Sequence, residues 1–354
     1  MFNKLFPNGL PMHPLEAIKA SKLPVLLYGM GDGAEKMMAV CNEYGIKVSG
    51  VFASDGFRSG KTFLAYNVLT VSDLPEIYPQ GFVALVCFGC KACDMRMYIG
   101  KVRRAGGIVY MPHLPLFGGE LFTYDTVEKH NDEIKKAYGL LCDEGSKNLF
   151  LDVLRYCLTW DPDYLFMGET NSYVFPSFFD DKVISSAIDG GAYRGDTVLS
   201  LCDAFPSIER MYAFEPDAAN FAKLKNTTVP NVRIDFLPLG LHEKNGILSF
   251  AALKNRGSHF ADGGIDVPVT SVDEAVGEKI DLIKLDVEGC EAAAIKGALK
   301  TIKSNKPCLY VSLYHKTNDL FELILLINEI DPSYRFSLLR ADVCPAWDII
   351  LLAK

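Results

Sequence analysis

The sequence predicts an α/β protein of two Rossmann-like domains, the second a class I seven-stranded sheet that ends in an antiparallel hairpin. Three observations predict it. Short apolar runs alternate with helical-period segments along both halves, as parallel strands with crossover helices require. Each half has a strand that runs into a glycine-rich turn, Gly29-Met30-Gly31-Asp32-Gly33 in the first and Asp189-Gly190-Gly191-Ala192-Tyr193-Arg194-Gly195 in the second. The last two apolar runs, 336–339 and 347–352, read as an antiparallel pair. A chain of 354 residues accommodates two domains at the usual ~100–200 residues each. The expected division is a Rossmann-like domain over 1–140, a helical and aromatic connector over 141–180, and a third segment, 181–354, that carries the larger sheet.

Composition narrows the function classes. Nearly half of the residues are apolar (49%), enough for a proper core in each half. The net charge is −8 with basic residues scattered, so the basic stripe that a phosphate backbone demands is missing and nucleic acid is disfavoured as a partner. The ten cysteines mostly sit in apolar stretches and read as reduced thiols of a cytoplasmic protein. Residues 1–20 are broken by Pro7, Pro11 and Pro14 and lack the apolar core of a signal peptide. No uncharged apolar run approaches the ~18 residues of a membrane span, so no membrane is expected as a partner.

In chain order, 24–28 is a buried strand, 34–44 a helix and 46–52 a strand ending near Ser54-Asp55. Then 82–88 is a strand, 91–104 a helix and 108–111 a strand. This β-α-β unit has a compressed Gly-x-Gly-x-Gly turn in place of the spaced Gly-x-Gly-x-x-Gly. Its functional reading is a nucleotide or nucleotide-sugar site with Asp55 on a ribose. Its bland reading is a degenerate domain that supports substrate binding or homo-oligomerisation. Two motifs are set aside. Gly56-Phe57-Arg58-Ser59-Gly60-Lys61-Thr62 resembles a phosphate loop but has three residues between its glycines where four are needed, and it leads into an extended stretch, 63–71. Cys87, Cys90 and Cys93 share part of an iron–sulfur spacing, with no fourth cysteine at short range.

Ser146 is expected to cap a helix over 147–158 whose apolar residues recur at helical spacing, stopped by Trp160-Asp161-Pro162. Aromatics over 164–179 are expected to pack a domain junction or lid a cleft. The second domain then runs strand, turn, helix (198–204), strand (210–214), helix (217–225) and strand (232–237). A less regular stretch with Arg256-Gly257-Ser258-His259 follows. Next come a run at 267–272, a buried strand within 281–289 that delivers Asp286 and Glu288, a helix over 291–303, a strand over 307–314 ending at His315, and a helix over 319–330.

The acid inside the second turn carries the cofactor reading. A glycine-rich turn lets a backbone approach a ligand closely and presents free N–H groups. Glu215, ending the following strand before Pro216, can accept both hydroxyls of a ribose. Asp189 is poorly placed beside a pyrophosphate but suits a cofactor with an ammonium and a sulfonium, which favours S-adenosylmethionine over NAD. Ligands of open α/β sheets sit outside the C-terminal strand ends, where Asp189, Glu215, Asp286, Glu288 and His315 all fall.

Taken together, residues 188–197, Ala213-Phe214-Glu215-Pro216, the Lys284-Leu285-Asp286-Val287-Glu288-Gly289 block with Gly297, and Tyr314-His315-Lys316 resemble the FkbM-type S-adenosylmethionine-dependent methyltransferases. Ser258 and 267–273 fit as well, and the resemblance spans roughly 140–354. It implies methyl transfer, usually to oxygen, on sugars or natural products. By position, Asp189, Gly190, Gly191, Ala192, Tyr193 and Gly195 would border the cofactor, Glu215 and Pro216 would hold its ribose, and Asp286 would face the reacting methyl group. Arg194 departs from the small polar or acidic residue expected there.

A hydroxyl acceptor needs its proton removed, and His315 has a side chain of suitable ordinary pKa, so it is the expected general base; the alternative is a histidine that orients a loop. Asp286 and Glu288 could instead hold a divalent ion through oxygen, ranked behind cofactor or acceptor positioning, and no metal is assigned. His259 could line the acceptor side or be solvated. Three function classes compete: a small-molecule O-methyltransferase, which the motifs favour, an NAD-dependent enzyme using the first domain, and a non-catalytic binding protein on the same fold.

Overall fold

The computed structural model describes residues 1–57, 62–116, 120–166, 177–251, 259–260, 265–345 and 349–354. Residues 58–61 of the phosphate-loop lookalike, 167–176 of the aromatic segment, Arg256, Gly257, Ser258 and Trp347 lie outside them.

The N-terminal sheet is built from β1 (Val25–Tyr28), β2 (Val48–Ala53), β3 (Thr62–Phe63), β4 (Tyr66–Thr70), β5 (Phe82–Val86) and β6 (Gly107–Tyr110), in the order β3-β4-β2-β1-β5-β6. All neighbours are parallel except β3 and β4. The core strands β1 and β5 are buried along their whole length, as near-continuous apolar runs in a parallel sheet must be. The helix Asp32–Glu43 starts from the first glycine turn, where a Cβ on Gly33 would stand 2.3 Å from the Cys87 carbonyl oxygen. Gly33 therefore serves close packing of helix on strand. Phe88 lies edge-on to Tyr28 and within 3.0 Å of where a Gly29 Cβ would be, so an aromatic ring crowds the turn. Asp55 accepts from the backbone N–H (3.0 Å) and hydroxyl (2.9 Å) of Ser72.

The C-terminal sheet comprises β7 (Ser186–Gly190), β8 (Arg210–Phe214), β9 (Arg233–Leu237), β10 (Leu282–Leu285), β11 (Cys308–Ser312), β12 (Phe336–Arg340) and β13 (Ile349–Ala353). The order is β9-β8-β7-β10-β11-β13-β12. The first five are parallel, and β13 runs antiparallel to both β11 and β12. This is the seven-stranded sheet with a terminal hairpin that the sequence predicts. Its order reverses between β7 and β10, and their C-terminal ends open the crevice that such a switch point creates.

Three details differ from the sequence reading. Asp143, not Ser146, caps the helix Glu144–Thr159: its Oδ1 accepts from Ser146 N at 2.7 Å. The Ser146 hydroxyl instead donates to Asp143 Oδ2 and accepts from Leu338 N. The single helix expected over 291–303 is two, Glu291–Lys296 and Leu299–Asn305. Between them a Cβ on Gly297 would meet the His242 carbonyl oxygen at 2.1 Å, so the chain bends where another backbone passes. The expected run over 267–272 is a strand only to Thr270. Val272 begins a short helix.

The helices Asn131–Leu140 and Glu144–Thr159 lie against the C-terminal sheet and its last helix, Asp319–Ile330. Leu141 bridges to Phe336, and Cys142 N donates to the Phe336 carbonyl at 2.9 Å. One buried cluster runs from Leu26 and Phe82 through Phe150 and Leu154 to Leu285 and Phe321, so the core is continuous across both sheets. No helix among the described residues is long and apolar enough to cross a membrane.

Candidate active site

The turn after β7 is held in place on both its donor and acceptor sides. Gly191 N and Ala192 N donate to the Phe214 carbonyl (3.0 and 2.9 Å), and Gly195 N donates to the Ala192 carbonyl. Tyr193 N donates to Glu215 Oε2 at 2.9 Å. The free N–H groups expected of this turn are thus spent at four of its positions, because β8 and its terminal acid sit directly alongside. The glycines of the turn let it pack tightly against neighbouring segments of the chain. Gly191 has a φ of +76°, and a Cβ there would stand 1.9 Å from the Asp286 carbonyl oxygen. Gly195, with a φ of +94°, leaves 2.0 Å between such a Cβ and the Thr227 hydroxyl.

Asp189 is fully buried. Thr197 donates to its Oδ2 at 2.6 Å, and Lys284 Nζ lies 2.9 Å from its Oδ1. The register sets this pair, since Asp189 stands opposite Lys284 across β7 and β10. Lys284, itself only 2% exposed, also donates to the carbonyls of Gly190 (3.2 Å) and Gly191 (2.9 Å). Burial works against its charge, but Asp189 and Asp286 hold its pKa above the ordinary lysine value. Asp189 is thus enclosed between Thr197 and Lys284. Sequence reasoning quoted Lys284 within a motif and gave it no role.

Glu215 ends β8, 6% exposed, and accepts from Tyr193 N and from Asp217 N (2.8 Å), one bond per carboxylate oxygen. Each oxygen keeps acceptor capacity. Burial pushes its carboxyl up to about 7 against those two bonds. Pro216 follows and leads into Asp217, whose side chain caps the helix Ala218–Leu224. Arg194 Nε donates to Asn220 at 3.2 Å, and its guanidinium stacks on the Tyr193 ring.

Across the crevice, β10 delivers Asp286 and Glu288, whose side chains are 34% and 30% exposed. Glu288 has a φ of +53°, as Tyr193 has +49° on the adjacent turn. Non-glycine residues in this region are strained and cluster at functional sites. Behind the two acids stands His315, 1% exposed, just beyond the end of β11. Its Nδ1 faces Glu291 Oε1 at 2.9 Å, and its Nε2 lies 3.4 Å from Asp286 Oδ1 and 3.3 Å from Glu288 Oε2. The Tyr314 hydroxyl donates to Asp286 at 3.0 Å, and Val287 N donates to Glu291 at 2.8 Å.

The expectation of His315 as general base meets three carboxylates around the ring. Burial alone would lower its pKa, but Glu291, the Glu288 hydrogen bond and Asp286 hold it well above the ordinary histidine value. Both ring nitrogens face carboxylates. For Asp286, burial pushes upward, while Lys284, His315 and Tyr314 bring the carboxyl below its ordinary value. Glu288 is raised by burial despite His315, so it is the more basic of the two crevice acids. Among the described residues, Asp286, Glu291 and His315 can bring ligand atoms within 4.8 Å of one another. Those atoms already lie against one another, His315 Nδ1 2.9 Å from Glu291 and Nε2 3.4 Å from Asp286. The backbone of His259 lies in a short strand that pairs with Gly246–Ala251. Cys87, Cys90 and Cys93 fall in three settings: past β5, in the two-residue strand Cys90–Lys91, and in the helix Ala92–Arg104.

Comparison with known proteins agrees with this geometry. Residues 189–336 match the family model for the methyltransferase FkbM domain, a span that contains every crevice residue named above from Asp189 to His315. The crystal structure of methyltransferase FkbM from Methylobacillus flagellatus KT is similar, with a TM-score of 0.75 at 21% identity, over 98% of this chain and 94% of that one. The likeness covers both sheets. A putative rRNA-methylase from Clostridium thermocellum matches at TM-score 0.33 and 13% identity, over 50% of this chain and 89% of that one. A putative O-methyltransferase from Klebsiella pneumoniae matches at 0.33 and 12%, over 64% and 95%. No curated protein sequence matches the chain. Over residues 189–336 the chain is therefore similar to the methyltransferase FkbM domain, and its fold is that of a methyltransferase.

Proposed function

We propose that this protein transfers the methyl group of S-adenosylmethionine to a hydroxyl of a small molecule, such as a sugar or other natural product, in the cytosol. The observation that carries the reading is the β7 turn: the N–H groups of residues 191–193 are spent on Phe214 and Glu215, while Gly191 lets the turn pack against the Asp286 carbonyl at the crevice. A pyrophosphate needs open N–H groups; a sulfonium cofactor does not. Glu215 has acceptor capacity left for two ribose hydroxyls. When bound, S-adenosylmethionine supplies a methyl carbon already activated toward attack.

The chain's own work is then alignment and proton management, and alignment alone can be worth several kcal/mol of barrier. Asp286 and Glu288 stand at the mouth of the crevice, and Glu288 Oε, raised by burial, accepts the proton that an acceptor hydroxyl gives up. His315, kept protonated by Glu291, holds both acids in place as a positioning residue. The N-terminal domain offers no comparable support for NAD, since Phe88 crowds its glycine turn and Asp55 is bonded to Ser72.

Calorimetry of the full chain with S-adenosylmethionine, S-adenosylhomocysteine and NAD tests the cofactor. Saturable binding of the first two is expected; binding of NAD alone would overturn the reading. Glu288→Gln should lower turnover by about 10²-fold or more with cofactor affinity unchanged, and undiminished turnover would remove Glu288 from the proton path.

A further inference from the structure

We infer that Lys284 is the residue that positions the cofactor turn, a role that neither the family match nor the motif assigns to it. The inference rests on the cofactor reading above. Lys284 lies in the middle of the C-terminal sheet with its ammonium directed under the β7 turn. Its ammonium donates to the Gly190 carbonyl at 3.2 Å and the Gly191 carbonyl at 2.9 Å and is ion-paired with Asp189 Oδ1 at 2.9 Å. An ammonium has three donors and no more, so the side chain is wholly committed to this turn.

The commitment matters because, among the described residues, the Gly191 carbonyl accepts a hydrogen bond from Lys284 alone. Phe214 and Glu215 fix the N–H groups of residues 191–193 from the β8 side. The Gly190 carbonyl is also held by Asp286 N at 3.1 Å, but the Gly191 peptide lies in the turn itself, where a glycine rotates at little cost. Lys284 fixes that peptide, and Asp189 neutralises the charge that must be buried to do so. Without the lysine, the Gly191 carbonyl would lose its donor and a buried carboxylate its cation. That peptide would rotate, and with it the surface on which the cofactor lies.

A positioning role and a charge role predict different outcomes. Lys284→Met, purified as the full chain, is titrated calorimetrically with S-adenosylmethionine and with S-adenosylhomocysteine, which lacks the sulfonium charge. Positioning predicts that both dissociation constants rise together by about 10–100-fold while binding stoichiometry stays near that of the wild-type chain. Mere partial unfolding would lower stoichiometry and leave affinity alone. If the variant does not fold because Asp189 is left unpaired, Asp189→Asn with Lys284→Met removes both charges and is read in the same way, beside Asp189→Asn alone. Unchanged affinity for both ligands overturns the inference. So does a change confined to S-adenosylmethionine, which would mean that Lys284 only tunes the field at the sulfonium. A wild-type chain that binds neither ligand would instead sink the cofactor reading itself.

Discussion

Gly191→Ala is the sharpest single perturbation of this crevice. A Cβ at residue 191 would stand 1.9 Å from the Asp286 carbonyl oxygen, where real contacts keep 3.0 Å or more. The two backbones must therefore part by about 1 Å in a close-packed region that has little slack. The obstacle is a peptide of β10 and cannot rotate away as a side chain would. A φ of +76° adds about 1–2 kcal/mol for any residue with a Cβ. Together these should cost about 3 kcal/mol or more of folding stability. The displaced turn should also weaken cofactor binding by roughly 10²-fold, since about 1 Å of misplacement has that effect in aligned sites. Gly190→Ala is the control. There the new methyl meets Leu241 Cδ1 at 2.8 Å and Leu285 Cδ2 at 3.1 Å, ends of flexible side chains, and the Lys284 carbonyl oxygen only at 3.2 Å, at an ordinary φ, so a smaller cost is expected. Urea unfolding and calorimetry with S-adenosylhomocysteine read both quantities. If Gly191→Ala stays within about 1 kcal/mol of wild type and binds as tightly as Gly190→Ala, the close approach of the turn to β10 is not what shapes the site.

Other expectations concern charge. His315→Ala should leave Asp286, Glu288 and Glu291 facing one another without their cation, lowering stability by about 3–5 kcal/mol and turnover by about 10²-fold; cofactor affinity that fell in parallel would show that His315 shapes the wrong half of the crevice. The Glu215 carboxyl is raised from 4.5 to about 7, so the folded chain keeps that proton when the unfolded chain has lost it. Its contribution to stability is therefore present at low pH and lost as pH climbs from 4.5 towards 7. Glu215→Gln should flatten that slope in melting curves, and a slope identical to wild type would mean the carboxyl is not buried as a charge.

Much of this was legible in the chain because strand ends leave local marks. The strand Arg210–Phe214 and the helix Asp319–Ile330 sit where the apolar spacing puts them, and Glu215, Asp286 and Glu288 follow strands that are mostly apolar. What sequence could not show is whatever depends on register between distant segments. Asp189 reads as an open acid until β10 sets Lys284 opposite it. His315 reads as a near-neutral base until Glu291, from a helix some two dozen residues earlier, closes on its Nδ1. Burial changed both roles, and burial is a property of packing that no motif spells out. The break at Gly297 is of the same kind, since its cause is the backbone of His242.

The way Asp143 and Ser146 fasten onto Ser337 and Leu338, with Leu141 bridging to Phe336, has a practical outcome. Strand β12 is the last of its sheet, and an uncovered outer strand invites a second molecule to add on. Residues 141–146 occupy that border like a hem. A shortened chain beginning at residue 181 would keep every crevice group yet lose the hem, along with the Phe150 and Leu154 side of the core. Such a fragment should self-associate more readily than the full chain, which sedimentation of the two would read.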